Sequence, residues 1–209
     1  PVAFLACFKS PWTRRTSTRS STEQADEHIA ELLFRVIDST SEFKTKTFQT
    51  MNIEDKFPDL LGKDENGKEV RLSSYPSNVR FIIYFYPKDS TPGCTLEARS
   101  LASAYTQFLE MGYQIIGVSA GDEKSHQRFI AKNELPFPLI ADTEHTLCET
   151  AGVWQLKKLA GREYMGIVRT TFVCDHDGTV TDVIRKVDTR NAATQLFTLL
   201  EGRNSPNPA

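Results

Sequence analysis

The chain has 209 residues, 39% apolar and 25% charged, a balance that supports one domain with a real core and leaves some chain to spare. The formal net charge is −2 and no basic stripe runs along the sequence, which argues against nucleic acid as a partner. No apolar run is long enough to span a bilayer, so no membrane role is expected.

Four cysteines, Cys7, Cys94, Cys148 and Cys174, lie far apart in a chain too long to need a disulfide scaffold. Free thiols in a reducing compartment, cytoplasmic by default, are the expectation. The opening stretch from Pro1 to Phe8 is apolar but short, and its basic residues follow it, the wrong order for a secretory signal. Thr13 to Thr22 is rich in Ser, Thr and Arg without acids, which predicts disorder and is also the composition of an organellar transit peptide. Ser21 and Gln24 form a capping-box pattern. Ile29, Leu32, Leu33, Val36 and Ile37 then mark one apolar helical face. Because the chain opens on proline, residues 1–50 are read as an extension, a leader or a fragment. Residues 51–203 are read as the folded domain and 204–209 as a flexible tail.

From Met51 the patterning becomes dense. Leu60–Leu61 and Val70–Leu72 flank an Asn66–Gly67 turn, a hairpin signal. Arg80 to Tyr86 is a continuous run of strand formers closed by Pro87, which is how a central strand covered on both faces reads. A helix is predicted from Pro92 to Met111, ended by Gly112, then a buried strand from Tyr113 to Ser119 and a helix from Asp122 to Lys132. A short strand over 137–140, a short helix over 144–151, a hairpin of 167–174 with 179–186 and a closing helix over 189–200 complete the order. Alternating β and α implies an α/β fold: a mixed central sheet with helices on both faces and an N-terminal β-hairpin, compatible with a thioredoxin-like fold.

The chemistry concentrates where the central strand ends. Thr91 suits an N-cap, Pro92 the first helical position, and Cys94 falls third. A thiol there faces unpaired backbone N–H groups and the positive end of the helix dipole, both of which favour the thiolate. Gly93 would let a substrate approach the backbone. Glu97 lies one turn beyond Cys94 on the same stripe. A carboxylate beside a thiolate is repulsive unless a cation lies between them. A distant arginine is therefore expected in the site, and Arg169 is the candidate. The alternative, that Cys94 is a small buried residue in a helix turn, must ignore Thr91, Pro92, Gly93 and Glu97 together.

Residues 51–202 resemble the bacterioferritin-comigratory-protein (peroxiredoxin Q) group of peroxiredoxins. The resemblance rests on Pro87, Thr91 and Cys94, on the wider pattern Phe85, Tyr86, Pro87, Lys88, Asp89, Thr91, Pro92, Gly93, Cys94, Thr95 and Glu97, on Arg169 to Gly178, and on Ala151 to Trp154. It implies a thioredoxin-like thiol peroxidase that attacks hydrogen peroxide or organic hydroperoxides through Cys94 and passes through a sulfenic acid. Thr91, the Cys94 backbone N–H and Arg169 would stabilise the leaving oxygen, Pro87 would shield the sulfur, and Glu97 would hold Arg169. Many members of this group carry a resolving cysteine five residues after the attacking one, where this chain has Arg99. Cys174 reads as packing and Cys7 lies in the extension. Cys148 is the better resolving candidate, though a one-cysteine cycle is favoured. An external reductant such as thioredoxin, glutaredoxin or a low-molecular-weight thiol would then complete it. No cofactor and no metal are called for, and a monomer or weak dimer is expected.

Other signals are weaker. Gly62 to Glu69 nearly fits a phosphate-binding loop but lacks the hydroxyl residue that would ligate magnesium, and it lies between strands. His145 and Cys148 are spaced to share a metal, but no second pair completes a site. His126 and His176 read as surface or turn residues, and Trp154 as packing near the site. A redox-inert thioredoxin-like interaction module, or a peroxide sensor, are the competing functions.

Overall fold

The computed structural model describes residues 50–159 and 161–204. The expectations for residues 1–49, including the apolar helical face from Ile29 to Ile37 and the placement of Cys7, lie outside the described residues, as does the tail beyond Asn204.

The elements follow in chain order: β1 (Leu60–Lys63), β2 (Glu69–Arg71), a 3-10 turn (Leu72–Ser74), β3 (Arg80–Phe85), α1 (Pro92–Ser103), α2 (Tyr105–Glu110), β4 (Tyr113–Ser119), α3 (Glu123–Asn133), β5 (Leu139–Ala141), α4 (Thr146–Thr150), β6 (Trp154–Leu159), β7 (Arg162–Ile167), β8 (Thr170–Cys174), β9 (Val180–Ile184) and α5 (Ala192–Asn204). The central sheet has five strands in the order β5-β4-β3-β8-β9. β3, β4 and β5 run parallel, whereas β8 and β9 run antiparallel to their neighbours. The sheet is mixed, as the β/α alternation implied.

The continuous apolar run of β3 is explained by burial on both faces, since every side chain from Phe81 to Tyr86 is 0% exposed. Alternation sends them to two clusters. Ile82, Tyr84 and Tyr86 pack with Cys94, Ala98 and Leu101 of α1, Phe108 of α2, Phe129 of α3 and Leu196 and Leu200 of α5. Phe81, Ile83 and Phe85 pack on the other face with Phe57, Leu61, Val70, Leu72 and with Leu147 and Cys148 of α4. Met51 is buried in this second cluster. Helices thus cover both faces, four on one side and only the short α4, with the β1–β2 hairpin, on the other. At roughly 1.5–3 kcal/mol per fully buried large side chain, β3 is a rigid platform for whatever follows its C-terminal end.

Two features depart from the expectations. The single helix foreseen from Pro92 to Met111 is broken at Ala104, which has φ −109° and ψ 6°. The Ser103 hydroxyl donates back to the Ser100 carbonyl at 2.8 Å, and Ala104 N–H closes onto Leu101 O three residues back. The restart aims Phe108 at Phe197, where the rings stack with centroids 4.4 Å apart. The second departure is the β6–β7 ribbon, a separate antiparallel pair joining Trp154 to Ile167. Lys157, Lys158, Arg162 and Glu163 give it no alternating apolar face to read. Ile167 accordingly belongs to β7, and the hairpin strand foreseen from Ile167 starts at Thr170.

The Gly62–Glu69 segment is the β1–β2 hairpin. Asp64 Oδ1 accepts from the Asn66 and Lys68 backbone N–H groups, and Gly67 turns with φ 77°. No strand-to-helix cradle for phosphate is formed there.

Candidate active site

The strand pairing explains why residues 94 and 169 meet. β8 runs antiparallel to β3, with Thr170 opposite Phe85. The residue just before β8, Arg169, therefore arrives where the chain leaves β3 and bends through Pro87 to Thr91 into α1. Val168 N–H donates to Val153 O at 2.8 Å and fixes the approach. Separation in sequence becomes adjacency through register alone.

Cys94 is the third residue of α1. The first ladder bond of the helix is Thr95 N–H to Thr91 O at 2.9 Å, so the Gly93 and Cys94 N–H groups are the leading amides that the helix leaves over. Thr91 stands at the N-cap but its side chain makes no capping bond. Its hydroxyl donates instead to the Lys88 carbonyl at 3.0 Å, which leaves its lone pairs directed away from that bond. This corrects the expectation of a capping hydroxyl.

Arg169 divides its terminal nitrogens. Nη2 donates to Cys94 Sγ at 3.2 Å, and Nη1 donates to Glu97 Oε2. The planar fork serves two acceptors at once, which an ammonium could not do with the same geometry. Glu97 is 0% exposed, and its second oxygen, Oε1, has no hydrogen-bond partner. Burial pushes the Glu97 carboxyl up to about 7 against the opposing pull of Arg169. Tyr84, beneath the site, is fully buried with its hydroxyl unpartnered, and burial followed by the nearby Glu97 charge drives it well above its ordinary value.

Cys94 itself is 1% exposed, yet its surroundings are open. Pro87, Thr91, Gly93 and Arg169 are each half-buried, and the Arg169 side chain keeps 20% of its surface accessible. The buried sulfur is thus ringed by partly accessible residues. A methyl group at Gly93 would lie 3.6 Å from Arg169 Nη2, so glycine is not sterically obligatory there.

Cys148 is placed elsewhere. It is 0% exposed in the cluster on the opposite face of the sheet from Cys94, and burial followed by the Asp142 carboxylate raises its thiol far above the ordinary range. The expectation that it could resolve a sulfenic acid on Cys94 is corrected: β3 and its neighbours stand between the two sulfurs. Asp142 accepts from the Leu147 and Cys148 backbone N–H groups and fixes this start of α4. Cys174 is buried in β8 on the same far face and is likewise raised, chiefly by burial. Trp154, foreseen beside the site, packs on that far face and stacks on His145 with centroids 3.8 Å apart.

A second cluster escaped the reading of the sequence. Asp89 is buried, and its carboxylate accepts from Tyr86 Oη at 2.8 Å, Ser125 Oγ at 2.6 Å and His126 Nδ1 at 2.8 Å. Burial raises the Asp89 carboxyl, but the hydrogen bonds from His126, Ser125 and Tyr86 outweigh it and hold it below its ordinary value. His126, foreseen on the surface, is 0% exposed. The signal was there: His126, Phe129 and Ile130 lie at i, i+3 and i+4 of α3, on its inward stripe.

A thioredoxin-like sheet that brings a helix-start cysteine against an arginine at the entry to β8 defines a thiol-based redox enzyme. The chain belongs to the AhpC/TSA family, whose model matches residues 53–183. It is 42% identical over 152 residues to the peroxiredoxin Bcp of Bacillus subtilis (strain 168), covering 73% of this chain and 96% of that protein. It is 36% identical over 128 residues to the peroxiredoxin Bcp of Escherichia coli (strain K12), covering 61% and 81%. Among solved structures, PrxQ of Xylella fastidiosa superposes with a TM-score of 0.68 at 30% identity, covering 75% of this chain and 99% of that one. The bacterioferritin comigratory protein of Xanthomonas campestris, described for its alkyl peroxide reduction activity, superposes with a TM-score of 0.63 at 34% identity, covering 68% and 90%. The chain is accordingly a thiol-dependent peroxidase with a thioredoxin-like fold.

Proposed function

We propose that Cys94 is the nucleophile and that the enzyme runs a one-cysteine cycle on hydrogen peroxide and small organic hydroperoxides. The observation that carries this is the 3.2 Å contact from Arg169 Nη2 to Cys94 Sγ at the head of α1. A guanidinium and the leading amides of a helix together supply the positive environment that a thiolate needs.

The thiolate attacks one peroxide oxygen, the S–O bond forms as the O–O bond breaks, and the second oxygen leaves as hydroxide or alkoxide to collect a proton. Arg169 and the Cys94 N–H take up the charge growing on the oxygens. The Thr91 hydroxyl, its proton turned to Lys88 O, offers a lone pair to the peroxide O–H, an acceptor in place of the donor foreseen. Pro87 shields the sulfur and Glu97 holds the guanidinium. An external thiol then attacks the sulfenic sulfur, releasing water and leaving a mixed disulfide. A second thiol restores Cys94 and departs as the oxidised reductant. Cys148 and Cys174, buried across the sheet, favour this external route over an internal disulfide. Alkyl hydroperoxides are included because the Xanthomonas campestris relative is described as reducing them. A reducing, cytoplasmic setting fits a cycle fed by external thiols, and subcellular fractionation checks it. The redox-inert module is not favoured in a chain of this family.

One equivalent of peroxide should leave a single dimedone-reactive sulfenic acid on Cys94. Cys94→Ser should stop peroxide consumption with dithiothreitol. Consumption at the wild-type rate by that variant would overturn the assignment, and a Cys94–Cys148 bridge would overturn the one-cysteine cycle.

A further inference from the structure

We propose that Asp89 and His126 are positioning residues for the peroxide reaction, a buried hydrogen-bonded pair that clamps the segment carrying Pro87 and Thr91 over Cys94. The inference rests on Cys94 as nucleophile.

The His126 ring lies between two oxygen acceptors: Asp89 Oδ2 is 2.8 Å from Nδ1 and Ile140 O is 3.1 Å from Nε2. The Ile140 carbonyl can only accept, so Nε2 carries a proton, and a second proton lies between Nδ1 and the Asp89 carboxyl, which also takes Ser125 Oγ–H. Ring and carboxyl thus form one buried hydrogen-bonded unit. Asp89 and the Tyr86 hydroxyl are the titratable groups that face the imidazole; the ring of Tyr86 lies 6.3 Å away, centroid to centroid. No room is left to relax: a Cβ on Gly121 would come 2.9 Å from His126 Cε1 and 3.1 Å from Asp89 Oδ2.

The pair ties three elements together. Asp89 belongs to the bend after β3, His126 to α3, and Ile140 to β5. The bend needs the tie. Ser90, directly after Asp89, has φ 59°, a left-handed conformation that is strained for a residue with a side chain. Thr91 follows immediately and donates to Lys88 O, so both residues flanking Asp89 are set by the turn that it anchors. Release of Asp89 would let Ser90 relax and carry Thr91 away from Cys94. Cys94 itself would stay, because Ala98 and Leu101 hold α1 against Ile82 and Tyr84 of β3 and against α5, and Arg169 reaches the sulfur from just before β8. The clamp therefore bears on the peroxide transition state, which uses Thr91, and not on the nucleophilicity of the sulfur.

That separation gives the test. In the full chain, Asp89→Asn, His126→Gln and His126→Asn are compared with wild type for the second-order rate of Cys94 with hydrogen peroxide and with iodoacetamide at one pH. Alkylation reads the thiolate without using Thr91. Asp89→Asn and His126→Gln should lose peroxide reactivity about a hundredfold, the scale of a ~1 Å misplacement, while alkylation stays within about twofold. His126→Asn, whose amide can reach Asp89 from the Nδ1 position, should recover part of the loss; His126→Gln, which reaches only toward Ile140 O, should not. Equal losses in both reactions, or an unchanged peroxide rate in folded Asp89→Asn, would each overturn the proposal. Failure of the underlying assignment is distinct: wild type would then form no sulfenic acid on Cys94 at all.

Discussion

Arg169 serves two masters with one planar group, and this division sets what substitutions there should do. Arg169→Lys keeps the charge but places a single ammonium where two directed donors stood. Peroxide reactivity should fall on the order of a hundredfold, the loss typical of one oxyanion donor, with the fold intact by circular dichroism; an unchanged rate would remove Arg169 from the mechanism. Glu97 carries a second expectation, through pH. Its carboxyl titrates near 4.5 when unfolded and about 7 when folded. Between those values the native state holds a proton that the unfolded chain has lost, so this group makes stability fall as pH rises from about 4.5 to 7, with no further change above. Glu97→Gln should abolish that slope. Denaturant midpoints taken at intervals from pH 5 to pH 8 read it directly, and parallel curves for the two proteins would show that the carboxyl is ionised throughout. The residue-scale chemistry was readable where it is contiguous: Pro87, Thr91, Cys94 and Glu97 obey local helix-start rules. Arg169 could be reached only by arguing that the Cys94–Glu97 repulsion needs a cation, or through the family resemblance. Asp89 and His126 pair across 37 positions, and neither residue alone announces the other.

At the level of elements, β3 and β4 were legible because burial on both faces leaves continuous apolar runs. Their contact tolerates no extra atom at Gly117, where a Cβ would fall 2.5 Å from Leu139 Cδ2 and 2.8 Å from the Tyr84 ring. Gly117→Ala should therefore destabilise the protein by about 1–3 kcal/mol in chemical denaturation, the range for an overpacked core; wild-type stability would mean that β5 slides away more easily than its pairing suggests. The elements missed share one cause, weak or misleading periodicity. The β6–β7 ribbon buries little, so its charged side chains carry no period of two. The break at Ala104 comes from a Ser103 hydroxyl competing with the helix ladder, which an apolar stripe running on through Tyr105 and Phe108 conceals. The bounds of α4 shrank to Thr146–Thr150 because Asp142 and His145 form its entry turn.

For the molecule as a whole, the alternation of β and α was enough to foresee a mixed sheet with covered faces. What alternation could not say is which face each cysteine would occupy, since that depends on where each helix docks. The outcome separates Cys94 from Cys148 and Cys174. Cys148→Ala should leave steady-state turnover with an external thiol within about twofold of wild type, and peroxide-treated protein should still carry its oxidation on Cys94 by peptide mass mapping. A collapse of turnover in a folded Cys148→Ala protein would mean that the sheet opens during the cycle.

That partition by the sheet has a bearing on supply and demand. Among the described residues no second thiol shares the face of Cys94, and under the proposed one-cysteine cycle the oxidising equivalent would pass to an outside thiol. How long each molecule waits in the oxidised form would then be decided by its neighbours' abundance, so the throughput of the site would track the surrounding thiol pool and stall wherever that pool runs dry.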